Sequence, residues 1–235
     1  MKKKLFIIFG LLCGVLYAQT DRWEYPIEPG MEEWKERPYH ENVEKSQPPK
    51  ELMDGWDTEM LFGYCLDYPF NMVAWMFDNP NAGFMFVYDQ ATVWQEFIRR
   101  KEAPDVFAQY LYNMSFDRLF EIKKTSNSGN ELFTIYFLEK IVSETDFTAY
   151  LDASGKRKLA NAVLQTHQNK KDYPDIFFGY SFNSSLCALV KILESDSAND
   201  EISLTALREA TDYERFFNND MDAAITAKVL NYLNK

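Results

Sequence analysis

The sequence is poor in the residues that most often build reactive sites. Its 235 residues include two histidines, His40 and His167, and neither has another histidine or a cysteine at a metal-ligand spacing. The chain also lacks a Gly-x-Ser-x-Gly nucleophile turn and a glycine-rich phosphate-binding loop. We therefore predict no metal, no cofactor and no histidine-assisted serine or cysteine nucleophile.

Basic residues are fewer than acidic ones. The 25 Lys and Arg against 36 Asp and Glu give a formal net charge of −11 at pH 7. A negative protein repels nucleic acid and anionic membrane surfaces, so neither is an expected partner. Carboxylates are abundant enough to provide an acid pair for glycoside hydrolysis, but no pattern singles out two of them. The sequence leaves catalysis open and favours a protein that is not an enzyme.

One acidic segment partly matches a calcium-binding loop. Asn218, Asp220 and Asp222 alternate as the first ligands of an EF-hand do. However, Ala223 stands where that loop needs glycine, and Val229 stands where it needs glutamate. Asp220 is better explained as a helix cap, so the segment predicts no calcium site.

Residues 1–18 have the three-part pattern of a secretory signal. Three lysines precede an apolar segment at 5–16, and the small residue Ala18 precedes Gln19. The apolar segment is too short to cross a bilayer, and no later segment is long and apolar enough. We predict export to the periplasm or the extracellular space as a soluble protein, with cleavage near Ala18. Cleavage would change the net charge to −14, because it removes three lysines and no acid.

Cleavage would also remove Cys13 and leave Cys65 and Cys187. An exported protein could oxidise this pair to a disulfide. Both residues lie in apolar helical patterns, however, where a cysteine commonly behaves as a small buried hydrophobe. The sequence leaves the disulfide open, since it does not show whether the two residues approach each other.

Residues 131–142, ELFTIYFLEKIV, are predicted to form a buried central helix. They are apolar nearly all round, with a thin polar edge that includes Glu139 and Lys140, and this is typical of a helix surrounded by protein. Ser128 and Glu131 have the spacing of a capping box at its start. A core strand is the alternative, because β-branched and aromatic residues are frequent here. The length and the cap favour the helix.

Residues 51–235 are predicted to fold as a single all-helical domain around this helix, either an irregular multi-helix bundle or a short α–α array. Short amphipathic segments alternate with turns, and no hairpin signal separates them. No fixed-period repeat is present, so a repeat protein is not indicated. The helix that carries Leu159 and Val163 is expected to end before Lys170 and Lys171.

Residues 19–50 are predicted to form an extended arm that is rich in proline and tryptophan. The arm is expected to contain at most a short helical turn from Met31 to Lys35. Pro29 and Gly30 suit the central positions of a type II turn, because proline fixes φ and glycine accepts a positive φ.

Five aromatic residues in and after the arm form the candidate contact site. Large aromatic side chains are costly to leave in water, and they dominate protein interfaces. One alternative is that they pin the arm to its own domain and fill the core. The other is that they bind a glycan or another protein, for example by strand addition. The candidate partner-binding residues are Trp23, Tyr25, Trp34, Tyr39 and Trp56.

The arm carries a sequence resemblance. The pattern Trp23-x-Tyr25-Pro26-Ile27-x-Pro29-Gly30-x-x-x-Trp34 resembles the start of a group of secreted, uncharacterised proteins from Bacteroides-type bacteria. Gln47-Pro48-Pro49 and Tyr68-Pro69 stand where that group has a proline-led segment and a helix ending in Tyr-Pro. The resemblance covers residues 20 to 114. It implies export and an all-helical domain, and it brings no activity with it.

These observations favour a secreted, non-catalytic interaction or accessory protein of the bacterial cell envelope. The expected partner is another envelope protein or a second copy of the chain. The alternative function is that of a glycan-binding or glycan-active protein, which would use surface aromatic residues together with carboxylates.

Overall fold

The computed structural model describes residues 23–116, 129–177, 179–196 and 219–234, and every regular element within these ranges is a helix. The predicted all-α class is confirmed. The signal segment and the Ser128 cap lie outside the described residues. The elements, in chain order, are α1 (Glu32–Glu36), α2 (Tyr39–Lys45), α3 (Lys50–Gly55), α4 (Thr58–Leu66), the 3-10 helix η1 (Asn71–Met76), α5 (Pro80–Tyr88), α6 (Thr92–Phe97), α7 (Ala103–Asn113), α8 (Gly129–Glu144), the 3-10 helix η2 (Phe147–Tyr150), α9 (Ala153–Lys171), α10 (Gly179–Glu194) and α11 (Asn219–Leu233).

The predicted central helix is α8, which begins at Gly129 and ends at Glu144. Most of its apolar side chains are buried, and Ile135, Leu138 and Ile141 are fully buried. The helix contacts α10 along its length and also touches α5, η1 and η2. The helical interpretation of this apolar run is therefore confirmed over the strand alternative.

The polar edge of α8 is buried as well. Glu139 is 0% exposed and Lys140 is 6% exposed. Glu139 is paired with Lys170. The sequence predicted that the helix carrying Leu159 and Val163 ends before Lys170. That prediction is wrong, because α9 continues to Lys171. The apolar stripe of α9 does not extend into its last turn. That turn is held in place because Lys170 pairs with the buried Glu139.

The Glu139–Lys170 pair connects three helices. Lys170 Nζ lies 2.7 Å from each Glu139 carboxylate oxygen, and it also donates to the Ser181 carbonyl oxygen at 2.6 Å. Ser185 Oγ donates to the carboxylate at 2.7 Å, and Ser184 Oγ donates to its other oxygen. Burial lowers the pKa of Lys170, and the Glu139 carboxylate opposes this shift. Hydrogen bonds to both charges compensate for their removal from water.

A second polar contact joins α9 to α11. His167 Nε2 and Asp222 Oδ1 are 2.7 Å apart, and Lys171 Nζ lies 2.5 Å from Asp222 Oδ2. Burial lowers the pKa of His167 against the pull of Asp222. Burial raises the pKa of Asp222, but the hydrogen bonds from Lys171 and His167 outweigh it and leave that pKa below its usual value.

The N-terminal segment is packed against the helical domain. Tyr25 and Ile27 are buried, and the buried Ser46 donates a hydrogen bond from Oγ to the Ile27 carbonyl oxygen at 3.2 Å. The short helix expected from Met31 to Lys35 is α1, but α2 was not expected. It forms in what looked like an extended arm because Asn42 and Val43 find buried positions on the domain.

We expect Lys170→Met to lower the free energy of unfolding by about 3–5 kcal/mol, because it leaves the Glu139 carboxylate buried without its cation. The matched control is the double variant Lys170→Met/Glu139→Leu, measured by urea denaturation. It should regain most of the loss, since Ser184 Oγ and Ser185 Oγ still donate to the Ser181 carbonyl oxygen. The single variant Glu139→Leu completes the cycle. A double-variant loss equal to the sum of the two single-variant losses would contradict coupling between Glu139 and Lys170.

Candidate functional site

The five predicted contact residues all lie against the protein's own core. Trp56 is buried and stacks on Tyr64, with ring centroids 4.0 Å apart. Tyr25 is buried too, and its hydroxyl donates to the Tyr64 carbonyl oxygen at 2.7 Å. Burial raises the pKa of Tyr25, so this hydroxyl stays protonated. Tyr25 thus helps to hold the N-terminal segment on α4, whereas Trp56 lies after that segment and packs between α3 and α4.

The other three residues are half-buried. Trp34 packs on Phe70 at a centroid distance of 4.7 Å, and Tyr39 packs edge-on against the same ring at 5.2 Å. Trp23 also packs on the main core. These aromatic residues therefore pin the segment to its own domain, which was the first alternative. Their role in binding a partner remains a prediction.

Trp23 and Tyr25 differ from the other three because they line an open cleft. We call it the outer cleft; its volume is about 670 Å³, within the range of roughly 300–1,000 Å³ that is usual for ligand pockets. It lies where the N-terminal segment meets the end of α4. Its lining residues are Trp23, Glu24, Tyr25, Glu28, Pro29, Met31, Tyr64, Asp67 and Pro69.

A tight turn forms one wall of the outer cleft. The Met31 N–H donates to the Glu28 carbonyl oxygen at 3.2 Å, across Pro29 and Gly30. Gly30 has φ of 101°, which a residue with a side chain rarely adopts. The turn predicted from Pro29-Gly30 is thus confirmed, and it brings Glu28, Pro29 and Met31 to the cleft.

The outer cleft is negatively charged. Glu24, Glu28 and Asp67 line it and are exposed, and no lysine, arginine or histidine is among its described lining residues. Asp67 is also the C-cap of α4, where the negative end of the helix dipole lies. The indole Nε1 of Trp23 is buried and has no hydrogen-bond partner among the described residues. The cleft therefore combines negative charge with aromatic walls.

A second cavity adjoins the outer cleft, since Asp67 and Pro69 line both. We call it the inner cavity; its volume is about 280 Å³. Eight of its eleven lining residues are aromatic or aliphatic, and Asp67, Asn71 and Thr134 are the polar ones. Its lining residues are Leu66, Asp67, Tyr68, Pro69, Asn71, Met72, Trp94, Phe133, Thr134, Phe137 and Leu138.

Asn71 organises the walls of the inner cavity. Its side-chain Nδ2 donates to the carbonyl oxygens of Cys65, at 2.8 Å, and Leu66, at 3.2 Å. Its Oδ1 accepts from Trp94 Nε1 at 3.1 Å. These bonds fix the start of η1 to α4 and α6, and they occupy the amide of Asn71.

An exposed apolar surface continues from the inner cavity along η1. Met72 lines the cavity and is 38% exposed, while Trp75 is 44% and Met76 is 81% exposed. The Trp75 ring packs 5.2 Å from Phe133, another residue of the cavity wall. The outer cleft, the inner cavity and the apolar surface of Met72, Trp75 and Met76 form the candidate functional site.

The buried cluster of Ser184, Ser185, Lys170 and Glu139 contains residue types that occur in nucleophilic sites. All four side chains are nearly or fully inaccessible, at 0–1% exposure. A substrate has no path to them, so we assign the cluster a structural role. Among the described residues, no group of histidine, cysteine and acidic side chains is arranged to hold a metal ion.

Two further sequence questions are resolved in the described part of the chain. Cys65 and Cys187 are both buried and are not bonded to each other. No helix in these ranges is long and apolar enough to cross a bilayer.

Comparison of the chain with protein-family models, with curated proteins and with solved structures returns no match. Arguments about function therefore depend on the geometry of the site. The resemblance to secreted Bacteroides-type proteins stays a prediction.

The sequence indicated only part of this site. It singled out Trp23 and Tyr25, but it gave no reason to join them to Asp67 or to the inner cavity. Two sequence features could have indicated the rest of the site. They are Pro69 at the end of a helix and the second apolar face of η1. The spacing of Phe70, Val73, Ala74 and Phe77 predicts one inward stripe; Phe70 and Ala74 are buried, and Val73 and Phe77 are half-buried. Met72, Trp75 and Met76 lie on the exposed side.

We expect Gly83→Ala to lower the free energy of unfolding by about 1–3 kcal/mol through overpacking. A Cβ at Gly83 would lie 2.1 Å from the Ala74 carbonyl oxygen, so η1 would have to move away from α5. Gly63→Ala is the matched control, because a Cβ there meets nothing within 4 Å. Urea denaturation of both variants tests this close approach, and equal stabilities would contradict it.

Proposed function

We propose that this protein is an exported, non-catalytic interaction protein of the bacterial cell envelope and that it binds its partner at the candidate functional site. The observation that carries the proposal is the outer cleft, in which aromatic walls and exposed carboxylates face the same volume of about 670 Å³. Large aromatic side chains near a desolvated pocket are the usual anchors of protein interfaces.

The exposed apolar surface supports the same proposal. Met76 is 81% exposed and belongs to a short helix that also exposes Met72 and Trp75. Contiguous exposed apolar patches often mark interaction sites in soluble proteins. Methionine-rich surfaces adapt to partners of different shape because the thioether chain is flexible.

Export is supported by the lysine-led apolar segment that ends near Ala18. Cell fractionation and the intact mass of the exported chain test it, with Gln19 expected as the first residue. A full-length chain that stays in the cytoplasm would contradict this part of the proposal.

Charge reversal in the cleft tests the site. We expect Glu24→Lys/Glu28→Lys to abolish capture of a specific protein from an envelope extract, because both exposed carboxylates line the outer cleft. The matched control is Glu33→Lys/Glu36→Lys, which makes the same change of charge at exposed positions of α1 outside the cleft. The control should capture the protein as the natural chain does.

The captured band is identified by mass spectrometry. A band that is the chain itself would identify self-association, and light scattering of the purified protein would then give the oligomeric state. No specific band, or one that both variants retain, would contradict the proposed site.

Glycan binding is the second candidate function. Trp23 beside the carboxylates of Glu24 and Glu28 is the observation that favours it, since sugar rings stack on aromatic faces and bond to acidic oxygens. Saturable binding on a polysaccharide panel would support it, and a flat response across the panel would count against it.

A further inference from the structure

We infer that the candidate functional site takes an extended, basic peptide segment of another protein. A lysine or arginine side chain of that segment would occupy the outer cleft, and an apolar side chain would occupy the inner cavity. The inference rests on the proposed function and adds the chemical class of the partner.

The charge of the outer cleft selects a cation. The exposed carboxylates of Glu24 and Glu28 line it together with Asp67, and its described lining residues include no lysine, arginine or histidine. The C-terminal end of α4 adds the negative end of its dipole at Asp67. Complementary charge steers association and rejects partners of the wrong sign.

The walls of the outer cleft suit the same cation. Trp23, Tyr25 and Tyr64 line it, and aromatic faces attract ammonium and guanidinium groups.

The inner cavity suits an apolar side chain. The engineered apolar cavity that binds benzene has about 150 Å³, and the inner cavity has about 280 Å³. Trp94, Phe133 and Leu138 contribute buried apolar walls. The amide of Asn71 is already bonded to Cys65, Leu66 and Trp94, and Asp67 and Thr134 are the other polar lining residues.

The two volumes adjoin at Asp67 and Pro69, so one ligand that fills both has to pass this turn. An extended peptide does so naturally, because its side chains project at regular intervals of about 3.3 Å per residue. Met72, Trp75 and Met76 then offer an adaptable apolar surface to the residues that follow.

Other occupants fit less well. A second copy of the exported chain carries a net charge of −14 after cleavage near Ala18 and is repelled by an acidic cleft. A neutral glycan would bring no positive charge to the exposed carboxylates of Glu24 and Glu28. An anionic lipid surface is excluded by the same charge.

The experiment measures fluorescence anisotropy of labelled short peptides with the exported protein. Each peptide contains one lysine or arginine and one phenylalanine or leucine, at every spacing, in a glycine–serine background. A matched set carries glutamate in place of the basic residue, and another carries serine in place of the apolar one. Neutral oligosaccharides form a separate arm.

We expect saturable binding of basic–apolar peptides at one preferred spacing, weakened by salt and absent in the glutamate set. Replacing the apolar residue by serine should weaken binding. Glu24→Lys/Glu28→Lys should weaken binding by about tenfold or more, as expected for charges that contact the ligand. Glu33→Lys/Glu36→Lys should change it by no more than about twofold, as expected for exposed charges outside the site.

Binding of the glutamate set as tight as that of the basic set would overturn the inference. So would an equal effect of the two double variants, or cleft-dependent binding of oligosaccharides without peptide binding. If an envelope protein is captured through the cleft while no peptide binds, the inference fails and the proposed function stands. If neither occurs, both fail.

Discussion

The buried contact between Glu139 and Lys170 is the interaction on which the arrangement of the C-terminal helices depends. It fixes α8 against α9 and, through Ser184 and Ser185, against α10. A displaced charge would lie in an apolar core without a partner, so slippage of α8 is strongly disfavoured. Since α8 also supplies Phe133, Phe137 and Leu138 to the inner cavity, this polar contact defines one wall of the candidate site.

The opposite side of the site depends on the N-terminal segment. Tyr25 anchors that segment to α4 through its hydrogen bond to the Tyr64 carbonyl oxygen, and the turn at Gly30 then faces the end of α4. Aromatic residues that look like contact residues in the sequence thus serve first to build the cleft. The exposed carboxylates Glu24 and Glu28, which contribute little to packing, are the residues left to determine what binds.

Local pattern was sufficient for much of this fold and for little of the site. The nearly uniform apolar run at 131–142 predicted α8, and Pro29-Gly30 predicted the turn, because both signals lie within a few residues. The burial of Lys170 was missed because lysine is almost never fully buried unless it is paired, and its partner Glu139 is distant in sequence. The sequence also did not show that Trp23 and Asp67 line one cleft, or that Met72 and Phe133 line one cavity. Both arrangements depend on packing between residues that are distant in sequence.

The most direct measurement of the site follows the indole N–H signals of the five tryptophans by NMR while a basic–apolar peptide is added. Trp23 lines the outer cleft and Trp94 lines the inner cavity, whereas Trp34 packs on Phe70 and lines neither. We expect the signals of Trp23 and Trp94 to shift together along one saturation curve and that of Trp34 to stay in place. A shift of Trp34 alone, or unchanged signals for Trp23 and Trp94 with a bound peptide, would show that the binding site lies elsewhere.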